Sequence, residues 1–298
     1  MSSSSATKIF LQPGGRMGNA IFRYLAGALF CVLYGFQITE SDADLQETID
    51  DSFYLRWMDK YQRTGQLPAL DTSKNYRFHG YFQHDKVYLK HKEDLLQYIR
   101  DHPEDRVRSD DGRSIHAMEL LMASVPSYEI VLHLRLEDFI RAGLTVHPDG
   151  IRSFLQKQRD VWSSPQLTIV VKQPTTEMEH KYIEYVTKDW KKGGGTVKME
   201  SNDLMRDFHI MKNARILICS CSTLSWTAAL LSDSLETVYM PHIHHPGRIW
   251  ETYRKPVEDT RASFPNTECS IYTLGKILGV HVPLPKTRLT TRLRRLTR

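Results

Sequence analysis

Residues 216–231, ILICSCSTLSWTAALL, pass from an apolar strand-like stretch through small polar residues into a helix-forming stretch. Ser220, Ser222 and Thr223 thus stand at a strand-to-helix turn. Hydroxyls, unpaired backbone N–H groups and the positive end of a helix dipole suit a phosphate there. The same residues suit ordinary capping of a structural helix, and this stretch alone allows both readings. A second run, HLRLED at 133–138, closes another apolar strand. Side chains alternate along a strand, so His133 and Arg135 project the same way, and at its carboxyl end they would enter a cleft together. Arginine's planar fork matches phosphate oxygens two at a time; the alternative is an Arg135–Asp138 ion pair that closes a turn. In DFHIM at 207–211, Asp207 is either a surface acid of an amphipathic helix or a carboxylate that accepts two N–H bonds from a guanine edge. Lastly, GGRMGN at 14–19 places Gly15 and Gly18 where a tight turn or a close backbone approach needs them, with Asn19 available to cap the next helix. It lacks the G-x-G-x-x-G spacing of a dinucleotide fingerprint.

Strands alternating with helices would position these groups. TKIFLQ (7–12) reads as a strand, residues 19–34 as a helix and 37–39 as a second strand, which opens an α/β unit. Residues 40–115 are mixed, with an aromatic patch, YRFHGYF, at 76–82. From Tyr128 the alternation is regular, with strands at 129–134, 167–172, 196–199, 216–219 and 237–240. Helices fall between them at 150–162, 177–191 and 202–212, the second stopped by Gly193–Gly195 and the third capped by Ser201 or Asn202. Such alternation predicts a parallel, doubly wound sheet that binds ligands at the carboxyl ends of its strands. SVPSYE before Tyr128 reads as a linker. It divides an N-terminal α/β domain, 1–125, from a C-terminal Rossmann-like domain, 126–285, and a basic tail, 286–298.

Bulk properties narrow the function classes. The composition, 41% hydrophobic and 25% charged, is that of a soluble globular protein. The net charge of +5 is concentrated in the tail KTRLTTRLRRLTR; without its six positive charges the remainder stands at −1. A near-neutral body argues against a nucleic-acid-binding protein, which would have to act through the tail alone. Leu289, Leu293 and Leu296 fall at i, i+4, i+7 between arginines, as in a basic amphipathic helix suited to an anionic membrane or an acidic partner. Cys31, Cys219, Cys221 and Cys269 make no metal-ligand spacing and read as free thiols in a reducing, cytoplasmic setting. The apolar run 20–36 contains Arg23 and falls short of a spanning helix, so a buried amphipathic helix is expected. His242, His244 and His245 lack an evident carboxylate or thiolate partner, and no metal site is expected.

GRMGNAIFRYLAG, HLRLED and DFHIMKNARILICSCSTLSWTAALL occur in the order and near the spacing seen in family 11 glycosyltransferases, the α-1,2-fucosyltransferases, which this chain resembles over about residues 8–240. GYFQ at 80–83 also resembles a signature of that family. The resemblance implies a GT-B-like arrangement of two Rossmann-like domains facing a cleft. It also implies GDP-fucose as donor, a glycan hydroxyl as acceptor, inversion at the sugar and no essential metal or cofactor. Arg135 then resembles the arginine that binds the β-phosphate, His133 a donor-site residue near ribose and base, and Asp207 the guanine-reading acid. Ser220, Ser222 and Thr223 look like the diphosphate side of the site, and Gly15, Gly18 and Asn19 like the facing loop. Glu137 and Asp138 are nearest in sequence for a base, and Asp138 is taken with Arg135 as catalytic. Leu136, Ala20 and Thr227 depart from the family pattern. Leu136 replaces a second arginine, which leaves other donors such as a mannose or xylose nucleotide as alternatives.

Overall fold

Two all-parallel sheets divide the chain. The structure, a computed structural model, describes residues 6–83, 85–122, 125–243, 263–266 and 271–282. The first sheet has strands β1 (Lys8–Leu11), β2 (Gln37–Thr39), β3 (Glu47–Asp50) and β4 (Tyr76–His79) in the order β2-β1-β4-β3. Its helices are α1 (Met17–Tyr34), α2 (Asp51–Thr64), α3 (Asp85–Lys90) and α4 (Lys92–Asp101). An antiparallel hairpin, β5 (Arg106–Arg108) and β6 (Ser114–His116), follows it.

The second sheet holds β7 (Tyr128–Leu134), β8 (Gln166–Val171), β9 (Thr196–Glu200), β10 (Ala214–Ile218), β11 (Thr237–Ile243) and β12 (Ser263–Asn266). Between and after them run α5 (Glu137–Ala142), α6 (Pro148–Arg159), α7 (Glu177–Lys192), α8 (Leu204–Lys212), α9 (Thr223–Leu230) and α10 (Ile271–Leu278). The strand order is β12-β11-β10-β7-β8-β9, every pair parallel. Counted from β7, this is the doubly wound 3-2-1-4-5-6 order, so the topological switch point lies between β7 and β10.

Strand periodicity decides what packs on each face. Ile130, Leu132 and Leu134 join Leu167, Ile169, Ile216 and Ile218 in one core beneath α6, α7 and α10. The alternate residues Val131, Val170 and Leu217 point to the other face, into a core that also contains α1 and α9. His133 shares the parity of Val131 and so faces the first unit.

The apolar run at 20–36 is explained by α1. This helix is long and apolar enough to cross a membrane, yet 78% of it is buried within the protein. It packs on α9, with the rings of Phe22 and Trp226 at 4.5 Å. Burying each such large side chain is worth roughly 1.5–3 kcal/mol, so α1 is the main apolar tie between the two units.

Two capping expectations are corrected. Arg16, not Asn19, is the N-cap of α1, and its side chain makes no cap bond. The helix starts earlier because Met17 and Gly18 are already buried in its first turn, and Asn19 Oδ1 instead accepts from Gln83 Nε2 at 2.9 Å. Likewise α8 is capped by Asp203, which accepts from the backbone N–H groups of Met205 and Arg206, rather than by Ser201 or Asn202.

Candidate active site

The carboxyl ends of β7, β8 and β9 open into a cleft of about 800 Å³. From the second sheet, His133, Arg135, Glu137, Lys172, Asn202, Asp207 and Leu224 line it. The first unit closes it with Arg16 and Met17, from the turn after β1, and with the β5–β6 hairpin.

At the switch point His133 Nδ1 lies 2.9 Å from Ser220 Oγ, joining the ends of β7 and β10. Both side chains are buried. Burial pushes the His133 imidazole down to about 4, so at neutral pH it is an uncharged hydrogen-bonding group rather than a cation for phosphate. Asp207, in the first turn of α8, accepts from the backbone N–H and Nδ2 of Asn202, both at 3.1 Å and both on Oδ1. Burial pushes its carboxyl up to about 6 against the lowering effect of those bonds. Its second oxygen makes none of these bonds, and the residue lines the cleft.

Arg135 is held by acids of its own turn. Nη2 donates to Asp138 Oδ1 at 2.9 Å and Nη1 lies 3.7 Å from Glu137 Oε2. The ion-pair alternative for Arg135 and Asp138 is therefore realised while the guanidinium still lines the cleft. Two further cations join it: Lys172 Nζ sits 2.5 Å from Glu137 Oε1, and Arg16 Nη1 3.3 Å from Asp138 Oδ1. Three cations therefore surround two carboxylates at this corner, while Asp110, Asp111, Asp203 and Asp207 lie elsewhere on the cleft wall.

The remaining predicted residues flank the cleft rather than line it. Asp138 accepts from two arginines beside the cleft, and its neighbour Glu137 lines the wall. Ser222 is the N-cap of α9, its hydroxyl accepting from the N–H of Leu224 at 3.3 Å. A Cβ on Gly18 would come within 2.3 Å of Thr223 Oγ1, which shows Thr223 pressed against α1 instead of opening to the cleft. Gly15 takes φ +67°, a left-handed turn that favours glycine, and its carbonyl accepts from Asp110 N–H at 3.0 Å.

Sequence reading passed over Arg16 and Lys172. The available signal was a lysine ending the buried run LTIVV, since a charge at the carboxyl edge of a buried parallel strand faces the ligand side. It also missed the adjacent carboxyl ends of β1 and β4 in the first sheet. There the buried Arg23 ties the turns together, Nε donating to Gly80 O at 3.0 Å and Nη2 to Gly14 O at 2.9 Å. A cavity of about 370 Å³ opens beside it, with Asp51, His79 and Tyr81 on its wall.

Among the described residues no group of three or more His, Cys, Asp or Glu could hold a metal ion. Cys31 and Cys219 are buried thiols, each pushed up to about 12 by burial. His244, His245, Cys269 and the tail 286–298 lie outside the described residues, as does the side chain of His242.

Fold and cleft together define an α/β protein, two parallel-sheet units whose strand ends face a shared crevice. No family model and no curated protein matches the chain. Among solved structures it is similar to the E. coli heptosyltransferase WaaC with ADP, at 8% identity and a TM-score of 0.43, over 92% of this chain and 99% of that one. The same enzyme with ADP-2-deoxy-2-fluoro heptose gives 7% identity and a TM-score of 0.40, over 92% and 99%. At that identity and superposition the likeness assigns neither residues nor substrate.

Proposed function

We propose that the chain is an inverting glycosyltransferase that moves a sugar, fucose in the first instance, from a GDP-sugar to a glycan hydroxyl. The observation that carries this reading is the convergence of Arg135, neutral His133 and Asp207 in one cleft at the switch point of a doubly wound sheet. Brought together, these are the separate needs of a nucleoside diphosphate: a cation for the phosphates, and a carboxylate able to accept from a base edge.

In the proposed reaction the acceptor oxygen bonds to the anomeric carbon as the bond from that carbon to the β-phosphate oxygen breaks. The electron pair leaves with GDP, and the acceptor proton passes to a base or to solvent. Arg135 stabilises the charge growing on the β-phosphate, which suffices without a metal. Glu137, on the cleft wall, is better placed than Asp138 to take the proton. The cavity at the carboxyl ends of β1 and β4, with Asp51, His79 and Tyr81, offers hydrogen-bonding groups and an aromatic face to an acceptor. A cytoplasmic setting, with the tail 286–298 touching an anionic membrane, belongs to the same proposal.

A second reading keeps the reaction and changes the donor, because Leu136 is 3% exposed and β7 therefore brings a single arginine to the cleft. Thermal-shift measurements with GDP, UDP, ADP and CMP test the nucleotide. Donor hydrolysis with GDP-fucose, GDP-mannose and UDP-xylose then tests the sugar. Stabilisation by GDP alone supports the reading; stabilisation by UDP and not GDP overturns it.

A further inference from the structure

We infer that Lys172 is a phosphate-reading residue of the cleft and supplies the second cationic contact that β7 lacks. The inference rests on the nucleoside-diphosphate reading above and names a residue for it.

Register gives the first support. β7 and β8 pair Leu134 with Val171, so the next step of the ladder sets Lys172 level with Arg135. Neighbouring strands are about 4.8 Å apart, and both residues stand at the carboxyl edge where a doubly wound sheet binds its ligand. Glu137 gives the second. Its Oε1 is held by Lys172 Nζ at 2.5 Å and its Oε2 faces Arg135 Nη1 at 3.7 Å. One carboxylate thus lies between two cations from adjacent strands, and a phosphate displacing it would meet both. Side-chain direction gives the third. Leu136 belongs to the buried core on the far side of the sheet, so the two sheet neighbours β7 and β8 each bring one cation to the cleft, while Arg16 and Arg113 reach it from the first unit.

The two cations differ in kind. Arginine's fork can bind one phosphate bidentately, while a lysine ammonium acts as a point charge able to serve the adjoining phosphate. Lys172 is 70% exposed and its ion pair with Glu137 is a weak one, so exchanging that partner for phosphate costs little.

The test is calorimetric titration of the full chain with GDP and GMP, for the native protein and for K172M, K172R and E137Q. The native protein is expected to prefer GDP. K172M should weaken GDP about 10-fold, as expected for one lost charge-assisted bond, with GMP changed far less. K172R should restore most of the loss, and E137Q, which releases Lys172, should strengthen GDP. A native protein that prefers GDP, with the same preference kept in K172M, overturns this inference and leaves the proposed function standing. A native protein that binds no nucleoside diphosphate overturns both.

Discussion

Arg16 Nη1 lies 3.3 Å from Asp138 Oδ1, although 122 residues separate the two. That same oxygen accepts from Arg135 Nη2 at 2.9 Å, so a single carboxylate oxygen joins one arginine from each unit at the corner of the cleft. The Arg16 and Asp138 side chains are 58% and 41% exposed, which makes this pair worth at most about 1 kcal/mol of stability. Its importance is in fixing where two guanidiniums stand.

Asp138 accepts from two guanidiniums and does not line the cleft. Replacing Asp138 by Asn should therefore leave sugar transfer within about 10-fold of the native rate, less than the loss of a general base, which contributes roughly 10²–10⁴. It should leave GDP affinity unchanged or stronger, since two guanidiniums lose their counter-ion. Steady-state transfer assays and calorimetry on D138N check both, and a loss of 10² or more would restore Asp138 as the base.

Arg135→Ala should lower transfer by about 10²-fold or more, by analogy with removal of one oxyanion donor. Arg135→Lys should recover only part of this, because an ammonium cannot reproduce a bidentate fork. Circular dichroism and thermal melting establish that both variants fold. Near-native turnover in a folded R135A would remove Arg135 from the reaction.

Asp207 and His133 should pull the pH dependence of stability in opposite directions. The Asp207 carboxyl is raised from 3.8 to about 6 in the folded chain, so folding binds a proton between those values and this residue's contribution to stability falls as pH rises through them. His133 is lowered from 6.5 to about 4; unfolding takes up the proton, and its contribution rises with pH over that window. Between pH 4 and 6 the two oppose each other. Denaturant titrations at several pH values should show D207N gaining stability with pH more steeply than the native protein, and H133Q less steeply. Identical slopes in all three proteins would contradict the buried environments that cause the shifts.

The strands and helices of the second unit were legible because their apolar runs are bounded by strong signals, as at Gly193–Gly195 after α7. His133, Arg135 and Asp207 were legible for a related reason: strand parity and strand ends predict which side chains leave a parallel sheet at its ligand edge. What could not be read were partners brought together by tertiary packing. Nothing local joins Arg16 to Asp138, or Lys172 to Glu137 across the gap from β8 to α5. The start of α1 was misplaced because its first turn is held by packing against α9 rather than by a capping side chain. Ser222 and Thr223 show the converse, a motif equally fit for capping and for phosphate, whose sequence does not reveal that α1 packs against it.

That neighbouring helix makes Gly18 the most sensitive glycine of the interface. A Cβ there would lie 2.3 Å from Thr223 Oγ1, 2.6 Å from Leu224 N and 2.9 Å from Thr223 C, and two of these three atoms are backbone. Backbone at the first turn of α9 cannot yield as a side-chain tip can, so G18A must push α1 away from α9 or distort the cap. The expected cost is about 1–3 kcal/mol, the usual range for overpacking a close contact. Gly27 on the same helix is the control. Its added Cβ would meet only side-chain atoms of Leu11, the nearest at 2.6 Å, and these can rotate away. G27A should therefore melt within a few degrees of the native protein, helped by alanine's better helix propensity of about 0.8–1.0 kcal/mol over glycine. G18A should melt well below both and bind GDP more weakly, because Leu224 and the α1 turn carrying Arg16 both line the cleft. Equal melting temperatures for G18A and G27A would mean that the two units do not meet through this contact.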